Sequence, residues 1–350
     1  MSQTHHRSKR KKKTIKKIVI TIVVIFLIIA IPLTAGIITI NHYLSKVNYE
    51  DESKEINPEF TESISDPSAD ADIKENIDDP RMWYNDNIIN ILLIGCDEGE
   101  GSKYYPRADS VIVLSINKLN SNIKLVSLSR ATYVSIPGHA NARLNAAHAY
   151  AGPKLLVDTV EKNYKIRIDH YISIDFKGFI KAIDTLGGVD IELTEAEVNA
   201  LAPVLKQNGT VINGAGKYHL NGDEALQYSR LRGIDSDRDR TERQRTVLLS
   251  IAAKFKKMTT TESYSSLISK ATDFLDQVLP LVKTDFTKSQ IISQASSYIN
   301  YLKWPITEAI IPVNKVPLTT INGIEVLIVD WAVVKNDIHE VLYPGIEPQE

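Results

Sequence analysis

Residues 88–130 read IINILLIGCDEGEGSKYYPRADSVIVLSINKLNSNIKLVSLSR. Two apolar runs of strand length, Ile88–Cys96 and Ser110–Ile116, flank a loop rich in Gly, Glu and Tyr. Asn120-Ser121-Asn122 signals a turn, after which Ile123–Leu128 is expected to pair back onto the second strand. The stretch therefore predicts three consecutive antiparallel strands.

Helical and strand patterns alternate beyond this meander. Helical patterns cover 153–164, 176–186, 221–228, 241–258, 262–280, 287–302 and 331–342. Strand patterns cover 169–175, 189–193, 309–313 and 326–329. Mixed strands and helices predict an α/β fold, with a mixed central sheet flanked by helices, in one domain over 88–350.

The N-terminal segment predicts a membrane anchor. Residues 1–17 carry eight Lys and Arg and no acid, and an uncharged run of 23 residues follows at 18–40. At about 1.5 Å per residue this run reaches roughly 35 Å, enough to cross a bilayer core of about 30 Å. The positive-inside bias predicts a cytoplasmic tail at 1–17, a single transmembrane helix at 18–40 and an extracytoplasmic remainder at the cell membrane.

Two other interpretations of this segment are less favoured. A cleaved signal peptide has a shorter apolar region, of about 7–15 residues. A nucleic-acid-binding patch explains the basic run but not its position beside a spanning helix, so no nucleic-acid partner is expected.

Residues 41–87 are predicted to be an acidic extracytoplasmic linker. Positions 50–79 hold 12 Asp and Glu against two Lys, and Pro58, Pro67 and Pro80 interrupt the segment. We found no apolar period in it, so we expect it to bury too little surface to fold. The single cysteine, Cys96, excludes an intrachain disulfide and a thiolate zinc site.

Charged residues cluster at the ends of the first three strands. Asp97 follows the first strand, Arg107 and Asp109 precede the second, and Arg130 follows the third. In an antiparallel meander these ends share one edge of the sheet, so the four side chains should converge. Paired carboxylates suit Mg²⁺, which fills its other positions with water and substrate phosphate. A surface cluster of salt bridges is the alternative.

A second group of charges is rich in arginine. Residues 230–245 contain six arginines and no lysine. Arg230 and Arg232, at i and i+2, are expected on one face of an extended segment. Arginine grips phosphate oxygens bidentately, whereas lysine acts as a point charge, so this choice indicates phosphate binding.

The helix predicted from Thr241 adds to this argument. Arg243 and Gln244 would lie in its first turn, where unpaired N–H groups and the helix dipole favour an anion. The alternative is a solvated face balanced by acids, which are also expected to orient the arginines. These acids are Asp235, Asp237, Asp239 and Glu242.

Eight short stretches between Asn90 and Lys254 resemble, in order, the motifs of the LytR-CpsA-Psr family of cell-wall glycopolymer ligases. The stretches are Ile94-Gly95-Cys96-Asp97, Arg107-Ala108-Asp109-Ser110, Ser127-Leu128-Ser129-Arg130, Leu144-Asn145-Ala146-Ala147, Leu186-Gly187-Gly188-Val189-Asp190, Leu220-Asn221-Gly222-Asp223-Glu224-Ala225-Leu226, Arg230-Leu231-Arg232 and Asp239-Arg240-Thr241-Glu242-Arg243-Gln244. One N-terminal anchor followed by an external domain is also typical of that family.

The resemblance implies a phosphotransferase that moves a glycopolymer, such as teichoic acid or capsule, from a polyprenyl pyrophosphate carrier to the muramic acid 6-hydroxyl of peptidoglycan. It implies that Asp97 and Asp109 hold Mg²⁺. The pyrophosphate-binding residues would be Arg107, Arg130, Arg230, Arg232, Arg240, Arg243 and Gln244. The catalytic set would be Asp97, Asp109, Arg130, Arg230 and Arg232.

The carrier's lipid tail would need an apolar slot. Its candidate residues lie between Leu155 and Ile183, with ordinary core packing as the alternative for each. They are Val160, Ile172, Phe176, Phe179 and Ile180.

Ser129-Arg130-Ala131 departs from the family's usual Ser-Ile-Pro-Arg-Asp stretch, because alanine replaces the carboxylate. Two alternative functions stay open, and the missing carboxylate motivates the first of them. One is a weakly active or non-enzymatic envelope protein that binds lipid pyrophosphate. The other is a polyprenyl-pyrophosphate pyrophosphatase that uses water as the acceptor.

Overall fold

The computed structural model describes residues 64–97, 103–261, 266, 270, 273–274, 276–287, 290, 301 and 304–349. The predicted tail at 1–17 and transmembrane helix at 18–40 lie outside these residues, as do most of the helices predicted at 262–280 and 287–302. Within the described ranges, no helix combines the length and apolar character needed to cross a bilayer.

The described residues form two compact units. The first, called the sheet unit, comprises 64–175 and 308–349, and the second, called the helical unit, comprises 176–307. The strands, in chain order, are β1 (Ile88–Cys96), β2 (Ala108–Asn117), β3 (Asn122–Leu128), β4 (Tyr133–Val134), β5 (Ala142–Arg143), β6 (His170–Asp175), β7 (Val189–Leu193), β8 (Gly216–Leu220), β9 (Val282–Thr284), β10 (Ile306–Ile311), β11 (Thr319–Ile321) and β12 (Ile324–Val326). The helices are α1 (Pro67–Asp78), α2 (Leu144–Tyr164), α3 (Phe176–Thr185), α4 (Glu195–Gln207), α5 (Gly222–Arg230), α6 (Asp237–Thr261) and α7 (Trp331–Leu342), with a 3₁₀ turn at Leu279–Leu281.

The central sheet is mixed, as the sequence predicts. Its order in the sheet unit is β10-β3-β2-β1-β6, with β1, β2 and β3 antiparallel and β6 parallel to β1. Because β1 has a neighbour on each side, it is nearly continuously apolar, and Ile91, Leu92 and Ile94 are fully buried. Helix α2 packs against β2 and β6. The predicted meander is confirmed.

The boundary predicted at Ile88 is wrong, because the segment before it is folded. Helix α1 begins at Pro67, and Asp66 caps it by accepting hydrogen bonds from the amides of Ser68 and Ala69. Ala69, Ile73 and Ile77 recur at a spacing of four residues and pack into the core of the sheet unit. The many acidic residues in this segment made the apolar stripe hard to recognise. The sequence signal for the helix was Asp66-Pro67, a capping residue followed by proline.

Polar contacts at its C-terminal end fix α1 to the rest of the sheet unit. Asn76 Nδ2 donates to the Asn163 carbonyl at 2.8 Å. The Lys165 ammonium group donates to the Ile77 and Asp79 carbonyls, so a cation caps the negative end of the helix. The acidic segment is therefore part of the domain from residue 64 onward.

Helix α2 is longer than the predicted 153–164 and is kinked. It begins at Leu144, and Ala151 and Gly152 leave helical geometry, Gly152 with φ 76°. Pro153 follows the kink and starts the second segment, where its missing N–H has no cost. The pattern revealed only the segment after the proline.

The helical unit contains the antiparallel strand pair β7–β8 and helices α3, α4, α5 and α6. Asn221 caps α5, as predicted, in a reciprocal capping box with Glu224. A Cβ at Gly222 would lie 2.4 Å from the Ile180 carbonyl oxygen, so α5 approaches α3 closely only with glycine there. The Asn-Gly-Asp-Glu motif thus has a structural role.

Most remaining predicted elements are confirmed, with shifts at the C-terminal strands. The predicted helix at 331–342 matches α7, and the strands predicted at 169–175 and 189–193 match β6 and β7. Strand β10 ends at Ile311, before Pro312, because proline has no N–H for the ladder. Strand β12 lies at Ile324–Val326, earlier than the predicted 326–329.

We expect Ile73→Ala to destabilise the protein by about 2–5 kcal/mol, because Ile73 is 2% exposed and the substitution leaves a cavity under α1. Urea unfolding measures this effect. Glu75→Ala, on the exposed face of the same helix, is the control and should change stability little. Equal stability of the Ile73 variant would mean that α1 does not pack on the core.

Stability should also depend on pH through His339. Burial lowers the pKa of His339 to about 4 from 6.5, and its ring stacks on Trp83 with centroids 3.5 Å apart. Between these pH values the unfolded chain binds a proton that the folded chain does not. The free energy of unfolding should therefore fall as pH falls through this window, by on the order of 3 kcal/mol.

The measurement is urea unfolding of the wild type and His339→Gln at several pH values. The variant should lose part of the wild-type slope between pH 6.5 and 4, whereas the exposed His139→Gln should keep it. Identical slopes in all three proteins would show that His339 contributes nothing to the pH dependence.

Candidate functional site

The four charged residues predicted at the sheet edge lie there. We call Asp97, Arg107, Asp109 and Arg130 the sheet-edge cluster. Cys96 is the last residue of β1 and pairs with Ala108, so Asp97 and Arg107 leave the sheet at the same edge. Arg130 follows β3 and donates from Nη1 to Asp109 Oδ1 at 3.0 Å.

A β-bulge shapes this edge. Gly95 pairs with Ser110 but Cys96 pairs with Ala108, so Asp109 is an extra residue on β2. The prediction that β2 starts after Asp109 is therefore wrong by two residues. A bulge redirects side chains locally and often borders a functional site. Continuing the shifted register by one residue places Arg107 level with Asp97.

The Asp109–Arg130 ion pair is partly solvated, since the two side chains are 24% and 23% exposed. Such a pair contributes little to stability, because water screens it. Its larger effect is orientation, since a guanidinium held by one carboxylate presents its planar fork in a fixed direction.

The donor set of this edge fits Mg²⁺ better than a closed metal site. Among the described residues, no group of three or more His, Cys, Asp or Glu side chains is arranged to hold a metal ion. Two carboxylates, from Asp97 and Asp109, would leave most positions to water and phosphate oxygens, as Mg²⁺ prefers.

Arg230 lies at the end of a helix, not in the extended segment that we predicted. It is the last residue of α5, and Leu231 is the C-cap. The helix extends this far because Tyr228 and Ser229 are buried. Consequently Arg230 and Arg232 do not share the face of a strand, although both are exposed.

The Arg230 guanidinium lies over the Phe176 ring, 4.3 Å from its centroid. In this cation–π contact the positive charge is attracted to the electron-rich face of the ring, which restrains the position of the guanidinium. Both residues belong to the helical unit. The aromatic ring therefore orients an exposed arginine on this unit.

Arg243 is bound within the protein. Its side chain is 4% exposed, and its terminal nitrogens donate to both Asp235 oxygens and to the Leu231 carbonyl. Glu197 Oε1 lies 3.7 Å from Nη1. Burial lowers the pKa of the guanidinium, but the hydrogen bonds and charge of Asp235 outweigh this and leave its pKa raised. This geometry assigns Arg243 to holding the 231–236 loop, which carries Arg232.

The anion-binding helix start predicted at Thr241 is wrong. Helix α6 begins at Asp237, so Arg243 and Gln244 lie beyond its first turn. Ser236 and Asp239 exchange hydrogen bonds across that turn, and two acids already occupy it. Ser236-x-x-Asp239 is a capping signal for this helix start, but it was not recognised because it lies within a run of alternating acids and arginines.

The other arginines predicted in this region differ in exposure. Arg240 is buried, and its Nη2 lies 2.8 Å from Asp237 Oδ1, in agreement with the expectation that acids orient the arginines. Arg245 is also buried, whereas Gln244 is half-buried on α6. Direct access to a ligand is thus clearest for Arg230 and Arg232.

The residues proposed for the lipid slot fall into two groups. Val160 and Ile172 are buried in the sheet unit, as ordinary core packing requires. Phe176, Phe179 and Ile180 are half-buried on α3 in the helical unit. Because these three side chains are partly exposed, their role in a lipid slot stays a prediction.

The LytR_cpsA_psr family model matches residues 41–340. The chain belongs to the LytR-CpsA-Psr family. A TagU from Bacillus mycoides, called a polyisoprenyl-teichoic acid–peptidoglycan teichoic acid transferase, is 35% identical over 218 residues, which cover 61% of this chain and 66% of TagU. The chain thus spans just under two thirds of that relative, and 61% of a TagU from Enterococcus faecalis.

Two solved structures match the fold of this chain. The protein gbs0355 from Streptococcus agalactiae matches with a TM-score of 0.61 and 25% identity, covering 73% of this chain and 88% of that one. TagT from Bacillus subtilis, solved with bound octaprenyl pyrophosphate, matches with a TM-score of 0.55 and 22% identity, covering 74% and 93%. The TagT likeness supports the fold alone.

Sequence reasoning missed some residues that shape this LytR-CpsA-Psr domain. Phe176 was noticed only as apolar, although it contacts Arg230. Glu197 is far from Arg243 in sequence, yet its carboxylate faces that guanidinium while completing the capping box of α4. The Thr194-x-x-Glu197 spacing was a detectable signal of the cap, but nothing in the sequence indicated the arginine.

Asp235→Ala should destabilise this LytR-CpsA-Psr domain by about 1–3 kcal/mol, because the Arg243 charge loses its main partner while staying buried. Denaturant unfolding measures the loss. Glu242→Ala, which removes one exposed acid from α6, is the matched control and should have a smaller effect. If the two substitutions cost the same, Asp235 does not hold Arg243.

Proposed function

We propose that this protein transfers a glycopolymer from a polyprenyl pyrophosphate carrier to peptidoglycan by Mg²⁺-dependent phosphoryl transfer. The observation that carries the proposal is the partly solvated Asp109–Arg130 ion pair, at the sheet edge where Asp97 follows β1. Carboxylates and guanidinium groups together suit a metal-bound phosphate anion. The TagU relatives, named as teichoic acid transferases that use a polyisoprenyl carrier and peptidoglycan, support the same class of reaction.

The bond changes follow from this substrate class. A peptidoglycan hydroxyl attacks the phosphorus that bears the glycan, and the bond from that phosphorus to the carrier phosphate breaks. The products are a glycan–peptidoglycan phosphodiester and a polyprenyl phosphate, and the hydroxyl proton passes to the leaving phosphate or to solvent. Catalysis then rests on positioning and on neutralising charge.

The roles of the sheet-edge residues follow from their chemistry. Asp97 and Asp109 would hold Mg²⁺, which when bound neutralises charge that develops on the leaving phosphate. Arg130, oriented by Asp109, would donate to phosphate oxygens, and so would Arg107. On the helical unit, Arg230 and Arg232 would bind pyrophosphate oxygens, while Arg243 positions the loop of Arg232.

The predicted topology belongs to the same proposal. A polyprenyl carrier is embedded in a membrane, and peptidoglycan lies outside it. A single anchor at 18–40 with a cytoplasmic tail would hold the domain in the space between these substrates.

A second candidate is a protein that binds lipid pyrophosphate with little or no transfer activity. Ala131, next to Arg130, favours it, because the family's usual carboxylate at this position is missing. Ala131 is packed against the core of the sheet unit, and its carbonyl accepts from the Leu327 amide. Residue 131 therefore cannot act as the base that accepts the proton of the attacking hydroxyl.

The test incubates the full-length chain with a synthetic polyprenyl-pyrophosphate glycan, Mg²⁺ and peptidoglycan fragments. We expect a glycan joined to peptidoglycan by a phosphodiester, detected by mass spectrometry. Arg230→Ala should weaken lipid pyrophosphate binding by about 10-fold to 100-fold, the value of a lost charge-assisted hydrogen bond. The affinity of Arg230→Lys should lie between those of the wild type and Arg230→Ala, because lysine keeps the charge but lacks the planar guanidinium group.

Lys206→Ala, which removes an exposed positive charge from α4, is the control and should bind like the wild type. Tight lipid binding without product would support the second candidate. Release of a phospho-glycan without incorporation would indicate hydrolysis by water. Unchanged binding by Arg230→Ala would remove that arginine from the pyrophosphate site.

A further inference from the structure

Helix α2 is interrupted by a kink at Ala151 and Gly152. Ala151 and Gly152 have (φ, ψ) of (−151°, 34°) and (76°, −163°), values that interrupt the helix inside the Leu144–Tyr164 segment. Glycine adopts a positive φ at low cost, whereas an L side chain is strained there. At the kink, Gly152 therefore presents its backbone without a Cβ, so a neighbouring side chain can approach it closely.

The ring of Tyr105 occupies this surface. A Cβ on Gly152 would lie 2.7 Å from Tyr105 Cζ and 2.8 Å from Cε1, distances that real atoms do not tolerate. Tyr105 is only 7% exposed, so the ring is fixed by packing. It also meets the His148 ring edge-on, with centroids 5.8 Å apart. The aromatic ring and the kink thus fit each other.

A hydrogen bond fixes the next residue of the same segment. His148 Nδ1 lies 2.6 Å from the Pro106 carbonyl oxygen, and His148 is 2% exposed. A carbonyl only accepts, so the Nδ1 atom of His148 must carry the proton. Because proline restricts its own φ, holding its carbonyl sets the direction in which the chain continues. The following residue is Arg107.

We propose that Tyr105, His148 and Gly152 form a clamp that positions Arg107 for pyrophosphate binding at the sheet edge. The clamp fixes two consecutive residues just before Arg107, by ring packing at Tyr105 and by a hydrogen bond at Pro106. Strand β2, which starts at Ala108, fixes the chain on the other side. His148 and Gly152 are positioning residues that act through Arg107.

This inference rests on the proposed function, because it takes Arg107 to be a pyrophosphate ligand. Positioning has large effects where a guanidinium must meet phosphate oxygens, since a bidentate contact depends on direction as well as charge. The alternative is ordinary core packing, in which the same contacts stabilise the domain and leave ligand binding unchanged. The two explanations differ in one respect: only in the clamp does the loss of ligand affinity depend on the presence of Arg107.

The test uses the full-length chain, and its two key variants are Gly152→Ala and His148→Phe. The first pushes the Tyr105 ring away, and the second removes the donor to Pro106. His148→Asn is the rescue, because its amide keeps a donor close to the position of Nδ1. Gly138→Ala is the control, since Gly138 has φ 75° but no atom within 4 Å of a Cβ.

Two measurements are made on each variant. Hydrogen–deuterium exchange reports the mobility of residues 103–109, and titration with a synthetic polyprenyl pyrophosphate reports affinity. Gly152→Ala and His148→Phe should speed exchange in this segment and weaken binding by about tenfold or more, whereas His148→Asn and Gly138→Ala should resemble the wild type. In an Arg107→Ala background, Gly152→Ala should weaken binding by less than about twofold, because the two substitutions act on one contact.

Unchanged exchange or unchanged affinity in both key variants would overturn the clamp. So would an equal loss of affinity from Gly152→Ala with and without Arg107, because the effect would then be a general loss of structure. If Gly152→Ala fails to fold, comparison of His148→Phe with His148→Asn tests the clamp instead. A wild-type protein that binds no polyprenyl pyrophosphate would contradict the proposed function instead, and the exchange data would still decide whether the clamp holds residues 103–109.

Discussion

The pairing of β1 with β2 is the constraint on which the sheet-edge cluster depends. Regular pairing from Gly95 and Ser110 would bring Asp109 opposite Cys96. The observed pairing of Cys96 with Ala108 makes Asp109 a bulge residue instead. Continued by one residue, this shifted register sets Arg107 level with Asp97, while the bulge residue Asp109 accepts a hydrogen bond from Arg130. A chain without the bulge would present a different set of charges at this edge.

The arginines of the helical unit divide according to burial. Arg240 and Arg243 are buried and lie beside Asp237 and Asp235, so their charges are largely balanced by the protein's own acids. Arg230 is exposed, and its guanidinium is restrained over the Phe176 ring. A buried guanidinium needs a carboxylate to offset its lost hydration, and a guanidinium that binds a ligand needs access. The same residue type therefore does structural work at some of these positions and is suited to recognition at others.

Sequence patterns predicted this fold where neighbouring residues decide the structure. The meander, the Asn221 cap and helix α7 follow from apolar runs, turn residues and capping residues within a few positions of each other. Helix α1 was missed because it is stabilised by distant parts of the chain, through the hydrogen bond from Asn76 to the Asn163 carbonyl and through contacts with α7. High local acidity suggested disorder, and tertiary burial of a narrow stripe overrode it.

The sequence by itself determined which charges gather at the sheet edge, because the order of strands and turns places Asp97, Arg107, Asp109 and Arg130 at strand ends. It also determined the family, through motifs whose combination is specific. Only the tertiary structure decided the use of each charge. The bulge at Asp109, the burial of Arg243 against Asp235, and the fit of Tyr105 to Gly152 join residues that are separated along the chain or set by backbone geometry. Such contacts depend on packing in three dimensions, which periodicity and motif spacing do not encode.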